Sequence, residues 1–248
     1  MAKTYEQQHI VSFSECDING LMRPGAIIQV AQDISGQHST ALGCSNENLA
    51  KRNIFWLLAR QRYIFNHYPA QGDMLHILTW PGKTRFTMYP RYCVFSDQNG
   101  ERYGAASSIW FLVDRNEGKM LTPAVSGAMM PDTTDLIPPI PAPERIIIPD
   151  IGSIQTHRRV CYSDADFNLH MNNARYMEWV CDLVEPRRFL DEYIVDFTLS
   201  YSHEASLGSE LILNLYEQGE QSWVLGKNTE TGQDIFSAAL TWTKKHNE

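Results

Sequence analysis

Asp166, Asn168 and His170 set an acid, an amide and an imidazole at alternate positions, directly ahead of a helix-like pattern. Such groups can move a proton or hold a carbonyl. In extended chain, side chains alternate between faces, so these three point the same way. Asn172 or Asn173 suits an N-cap. Tyr176, Met177, Val180, Cys181 and Val184 then form one apolar stripe, which Pro186 closes. The pattern predicts a polar triad at the mouth of a buried helix, where free N–H groups attract negative charge. Taken singly, Asp, Asn and His before a helix are also ordinary loop and capping residues.

A second copy sharpens the reading. Displaced by 149 positions, Ser14, Asp17, Asn19, Met22 and Asp33 fall on Ser163, Asp166, Asn168, Met171 and Asp182. Those are 5 identities in 20 aligned positions, where ordinary residue usage gives roughly one. Ile27, Ile28 and Ala31 lie over Tyr176, Met177 and Val180, so the chain reads as two copies of one unit. His170, however, falls on Leu21. The acid and amide are therefore partly structural, and His170 marks the functional half.

The elements that position the motif follow in order. Residues 5–13 read as a first strand and Pro24 as the first turn of a helix, which keeps phase to Leu42 and stops at Gly43. A short polar segment, 46–52, precedes strands at 54–68, 74–80, 86–97 and 103–114, with Asn99-Gly100 as a hairpin turn. One helix followed by long antiparallel strands is an α+β pattern, a sheet wrapped around its helix. Half of the 12 prolines crowd residues 131–149, an extended strap between domains. The pattern then restarts: strand 153–162, motif, helix, and strands at 194–202, 210–218, 222–230 and 234–244. Ala105–Trp110 is echoed by Ser237–Trp242 in the last strand of the second unit. The expected division is 1–125, a linker 126–150, and 151–248.

Composition narrows the class. A hydrophobic content of 43% with 20% charge suits a globular chain large enough to bury a core. No apolar run reaches membrane-span length, and the first residues lack the apolar stretch of a signal peptide. Five scattered cysteines without a C-x-x-C argue against disulfides and zinc, so a cytoplasmic protein is expected. A net charge of −8 disfavours nucleic acid. His157 and His203 lie apart without ligand spacing, and no metal or other cofactor is expected.

Two helix-in-sheet units joined by a proline strap resemble the tandem, or double, hotdog fold. The chain is similar to the acyl-acyl carrier protein (acyl-ACP) thioesterases of the plant Fat type and their bacterial relatives. The likeness rests on Asp166-Phe167-Asn168-Leu169-His170-Met171-Asn172-Asn173-Ala174-Arg175-Tyr176, which matches the family's D-x-N-x-H-x-N-N-x-x-Y. It continues in Tyr201-Ser202-His203-Glu204, similar to the family's Tyr-x-x-Glu strand, and covers nearly the full chain. The resemblance implies hydrolysis of fatty acyl-ACP to free fatty acid, with Asp166, Asn168, His170 and Glu204 as catalytic residues. It also implies a catalytic C-terminal unit and an N-terminal unit that takes the acyl tail, along the first helix and the 54–65 strand. Phe55 and Trp56 alternate there, so only one faces inward. Some members carry a cysteine directly after the glutamate. Ala205 stands there, which leaves water as the attacking group.

His170 and Glu204 would position and deprotonate that water, with Asp166 holding the imidazole or sharing the base role. Asn168 and the helix-start N–H groups would bind the carbonyl oxygen. The division among Asp166, His170 and Glu204 stays open. The implied partner is an acidic carrier protein, which would need a basic patch on this acidic chain: Arg158-Arg159, Arg187-Arg188 or Lys51-Arg52. An acyl-coenzyme A thioesterase and a non-catalytic acyl-binding module are the alternative readings. Two fused hotdogs already pair with each other, so both monomer and homodimer are compatible.

Overall fold

A computed structural model describes residues 2–245. The first half runs β1 (Tyr5–Ile10), a short 3-10 turn, α1 (Pro24–Ala41), α2 (Asn46–Ala50), β2 (Ile54–Phe65), β3 (Met74–Pro81), β4 (Met88–Ser96) and β5 (Arg102–Asp114). After β6 (Met120–Leu121) and α3 (Pro123–Ser126), the second half runs β7 (Ile154–Arg159), α4 (Asn173–Leu183), α5 (Arg188–Asp191), β8 (Glu192–Tyr201), β9 (Glu210–Gln218), β10 (Gln221–Asn228) and β11 (Asp234–Lys244). The polar segment expected at 46–52 is in part α2, because Ser45 caps it by accepting from the N–H of Asn48.

All strands belong to one antiparallel sheet in the order β1-β3-β4-β5-β2-β8-β11-β10-β9-β7, with β6 beside β5. Read from each end, the two halves have the same order and meet at β2 and β8. Arg60 lies opposite Ser200 there, and Tyr63 opposite Phe197, their rings stacked at 4.8 Å. Arg62 clasps Asp196 across the join with bonds of 3.0 and 2.6 Å. The repeat extends to irregularities: Ala59 is bulged between β2 and β5 as Val195 is between β8 and β11. This is a double hotdog fold.

α1 and α4 pack on each other and on the sheet, burying Ile27, Ile28 and Ile34 from one and Met177 and Val180 from the other. Fully burying such a side chain contributes about 1.5–3 kcal/mol, so these stripes fix both helices. Gly25 permits the close crossing, because a Cβ there would strike the Glu178 carboxylate. The proline-rich strap carries no helix or strand from 127 to 153. It is pinned where Arg60 and Arg102 donate to the carbonyls of Pro143 and Pro139, and where Thr133 donates to that of Pro81.

One backbone detail differs between the twin loops. Gly20 has φ +73°, and its counterpart Leu169 is held at φ +63°, a region that disfavours side chains with a Cβ. Leu169 is exposed, so its packing is small. Leu169→Gly should therefore stabilise the chain by about 1 kcal/mol, read as a higher Tm. An unchanged or lower Tm would show the loop unstrained.

Candidate active site

The loop before α4 is built by one carboxylate. Asp166 Oδ1 accepts from the N–H of Asn168 (2.8 Å) and of His170 (3.4 Å), and Asp166 Oδ2 lies 3.5 Å from Asn168 Nδ2. The N–H of Asp166 donates back to His170 O (2.8 Å), closing the turn. The twin loop repeats this: Asp17 Oδ1 accepts from Asn19 N–H (2.7 Å) and Leu21 N–H (3.1 Å), and Asn19 Nδ2 donates to Asp17 Oδ2 (3.1 Å). Asp166 thus faces its own loop amides, and the group beside the imidazole is Glu204. His170 Nδ1 lies 3.2 Å from Glu204 Oε2, with the two side chains 34% and 52% exposed.

The contact follows from how the chain enters β9. Met171 N–H donates to Ala205 O (2.8 Å) and Leu207 N–H to Leu169 O (2.8 Å), clamping the 204–208 turn against the motif. In the first half the same clamp joins Met22 N–H to Pro69 O (2.8 Å) and Gln71 N–H to Gly20 O (3.0 Å). That register makes Tyr68 the counterpart of Glu204.

α4 starts at Asn173, with Asn172 as N-cap: its Oδ1 accepts from Ala174 N–H at 2.9 Å. The N–H of Arg175 bonds to Asn172 O and that of Asn172 to Asp164 O. The N–H of Asn173 has no acceptor among the described residues, as the first turn of a helix leaves it. Sequence reasoning expected free N–H groups at the helix start but did not single out this amide. Its signal lay in the twin alignment, where Asn173 falls on Pro24, which has no N–H. Below the loop, buried Tyr176 packs edge-on against Tyr201 and Phe236, at 5.3 and 4.8 Å between rings. Burial first, then the nearby Glu204 and Asp166 carboxylates, push its phenol up, so it stays neutral.

Of the four expected residues, His170 and Glu204 touch, Asp166 and Asn168 form the loop that carries the histidine, and none lies elsewhere. Among the described residues no group of three or more His, Cys, Asp or Glu side chains is placed to hold a metal. Trp56, rather than Phe55, faces inward. Its ring packs on Tyr89 and Trp110 and its Nε1–H donates to Cys44 O, whereas Phe55 lies under the Arg115 guanidinium. No helix among the described residues is long and apolar enough to cross a membrane.

Two hotdog units fused through β2 and β8, of which only the second carries a histidine in its D-x-N loop, at His170 where the first has Leu21, define an asymmetric double hotdog protein. Residues 2–124 match the acyl-ACP thioesterase N-terminal domain and residues 150–244 the acyl-ACP thioesterase C-terminal domain; the chain belongs to that family. It is 28% identical over 196 residues to a chloroplastic acyl-[acyl-carrier-protein] hydrolase of Cuphea viscosissima, covering 73% of this chain and 47% of that one. It is 23% identical over 242 residues to a chloroplastic dodecanoyl-[acyl-carrier-protein] hydrolase of Cinnamomum camphora, covering 89% and 62%. The chain spans about half the length of the first of these relatives. Its fold is similar to that of an acyl-ACP thioesterase from Bacteroides thetaiotaomicron, with a TM-score of 0.87, 22% identity and coverage of 97% and 98%. A 12:0-ACP thioesterase from Umbellularia californica gives 0.82, 20% identity and 99% of both chains.

Asp17→Ala and Asp166→Ala test the two loops against each other. Each removes a carboxylate that holds two backbone amides, at about 1.5–3 kcal/mol per bond to a charged group. Thermal melts should fall by similar amounts, but only Asp166→Ala should also cut catalysis, because its loop carries His170. Equal activity losses would refute the division of labour.

Proposed function

We propose that this chain hydrolyses fatty acyl-ACP thioesters to free fatty acid. The observation that supports this best is the His170 Nδ1 to Glu204 Oε2 contact of 3.2 Å, with the unpartnered N–H of Asn173 three residues further along the chain. All three groups are missing from the twin loop, which has Leu21, Tyr68 and Pro24. A carboxylate only accepts, so with Glu204 Oε2 3.2 Å from Nδ1 this reading puts the imidazole proton on Nδ1 and leaves Nε2 as the base. Glu204 then orients the histidine rather than taking the proton itself.

In this reading His170 Nε2 takes a proton from water, whose oxygen attacks the thioester carbonyl carbon. The carbonyl oxygen becomes an oxyanion, held by Asn173 N–H at the positive end of α4 and by the spare Nδ2–H of Asn168. Collapse breaks the C–S bond, and the departing thiolate takes the proton from the imidazolium. Asp166 supports the loop throughout.

The N-terminal hotdog takes the acyl tail, along the apolar cluster of Ile54, Trp56, Tyr89, Trp110 and Leu112. The relatives' carrier-protein names supply the thioester handle. Several cations considered for carrier docking are tied up: Arg158 by Asp182 and Trp179, Arg188 by Glu192 and Glu217, and Lys51 by Glu47. Arg159 and Arg175, exposed near the motif, remain to meet an acidic carrier.

Free-thiol release from matched acyl-ACP and acyl-coenzyme A thioesters tests the reading. Faster release from the carrier substrate is expected. Preference for coenzyme A would change the handle, and no release from either would leave an acyl-binding module.

A further inference from the structure

The pseudo-twofold axis that pairs the two hotdogs carries the His170 site onto a second place. That place lies between the 16–23 loop of the first half and the α4–β8 region of the second. The loop frame is kept there, with Asp17, Asn19 and Gly20 in the roles of Asp166, Asn168 and Leu169. The hydrolytic groups are gone. A site released from catalysis would be expected to close by packing. Instead a cavity of about 530 Å³ remains, within the about 300–1,000 Å³ of small-molecule pockets. Leu21, Tyr68, Cys181, Phe189 and Ile194 give it apolar walls.

Its charges are unevenly matched. Four carboxylates line it, and three are engaged: Asp17 by its loop amides, Asp182 by Arg158 (2.8 Å) and Glu192 by Arg188 (2.8 Å). Lys245 Nζ is bound to Phe189 O. Arg23 differs. It is the N-cap of the 18-residue α1, where its counterpart Asn172 caps α4, and it makes no capping bond. A cation at a helix N-terminus adds to the positive end of the dipole. Arg23 Nη2 donates to Ser14 O, Glu178 stands 3.6 Å from Nη1, and Nε is buried without a partner. An apolar cavity with a guanidinium on a positive helix end, only loosely neutralised, suits an amphipathic anion.

We propose that this cavity is a second, non-hydrolytic site for a long-chain carboxylate, with its carboxyl group on Arg23 and its chain along Leu21, Tyr68, Phe189 and Ile194. The choice of a fatty carboxylate over other amphipathic anions rests on the proposed function, whose product it is. None of Asp166, Asn168, His170 or Glu204 lines the cavity, so it can be occupied without displacing them.

Calorimetric titration of the full chain with dodecanoate, and separately with dodecanol, tests this in wild type, Arg23→Met and Leu21→Trp. The catalytic site is common to all three, so the differences report on this cavity. Arg23→Met should weaken one class of dodecanoate sites about tenfold, the loss of a charge-assisted pair, and leave dodecanol binding unchanged. Leu21→Trp should remove that class for both ligands. Dodecanoate binding that is absent from wild type, or unaltered by Arg23→Met, would overturn the proposal. Should Leu21→Trp fail to fold, the Arg23→Met comparison decides alone. Thiol release by the wild type reports separately on hydrolysis, so failure of either idea is visible without the other.

Discussion

His170→Ala should lower kcat for acyl-ACP hydrolysis by about 10²–10⁴-fold, the range for loss of a general base, with the fold intact. The side chain is one-third exposed and lies 3.2 Å from a half-exposed glutamate, so its removal costs at most about 1 kcal/mol of stability. The loop is held by main-chain bonds to Asp166 and Ala205, which alanine keeps. Loss of turnover without loss of Tm is therefore the expected signature. Glu204 refines it. If the carboxylate only orients Nδ1–H, Glu204→Gln keeps an acceptor oxygen and should retain far more activity than Glu204→Ala. If Glu204 is the base, both variants should fall together. Near-wild-type turnover by His170→Ala would sink the assignment.

The repeat was legible because loop chemistry is local. Asp17 and Asp166 bind the amides two and four residues on, so the D-x-N spacing encodes the turn by itself. The partner of His170 was not legible from spacing. The loop and helix repeat at 149 positions, but the following strands repeat at 136, since Tyr68 pairs with Glu204 and the Ala59 bulge with that at Val195. The shift arises between helix and strand, where α4 ends after 11 residues and α1 runs for 18. A gapless overlay loses register there, so Glu204 entered through family resemblance and its replacement by Tyr68 emerged only from the clamp geometry. α5 escaped notice because four residues leave no periodicity to read. Its Arg188 looked like a surface cation, yet it lies over the Trp242 ring and binds two carboxylates. The cavity of the first half is formed by segments more than 100 residues apart, which no local pattern reports.

Asn173→Pro should lower kcat by about 10²–10³-fold, the cost of losing one oxyanion donor, while the protein folds normally. Ordinarily a proline in a helix is a blunt tool, but at the first helical position its missing N–H breaks no helical bond. The residue before it must be extended, and Asn172 already is, with φ −62° and ψ 137°. The first half shows the same arrangement, Arg23 at φ −66° and ψ 147° followed by Pro24. The carbonyl of residue 173, which accepts from the Tyr201 hydroxyl at 3.0 Å, is unaffected. The substitution deletes the N–H assigned to the oxyanion together with the asparagine side chain. Asn173→Ala retains that N–H and should keep most of the activity, which separates the backbone donor from the side chain. A proline variant with kcat within a few-fold of wild type would place the oxyanion on Asn168 instead. If proline and alanine lose activity equally, the side chain of Asn173 is the group that matters.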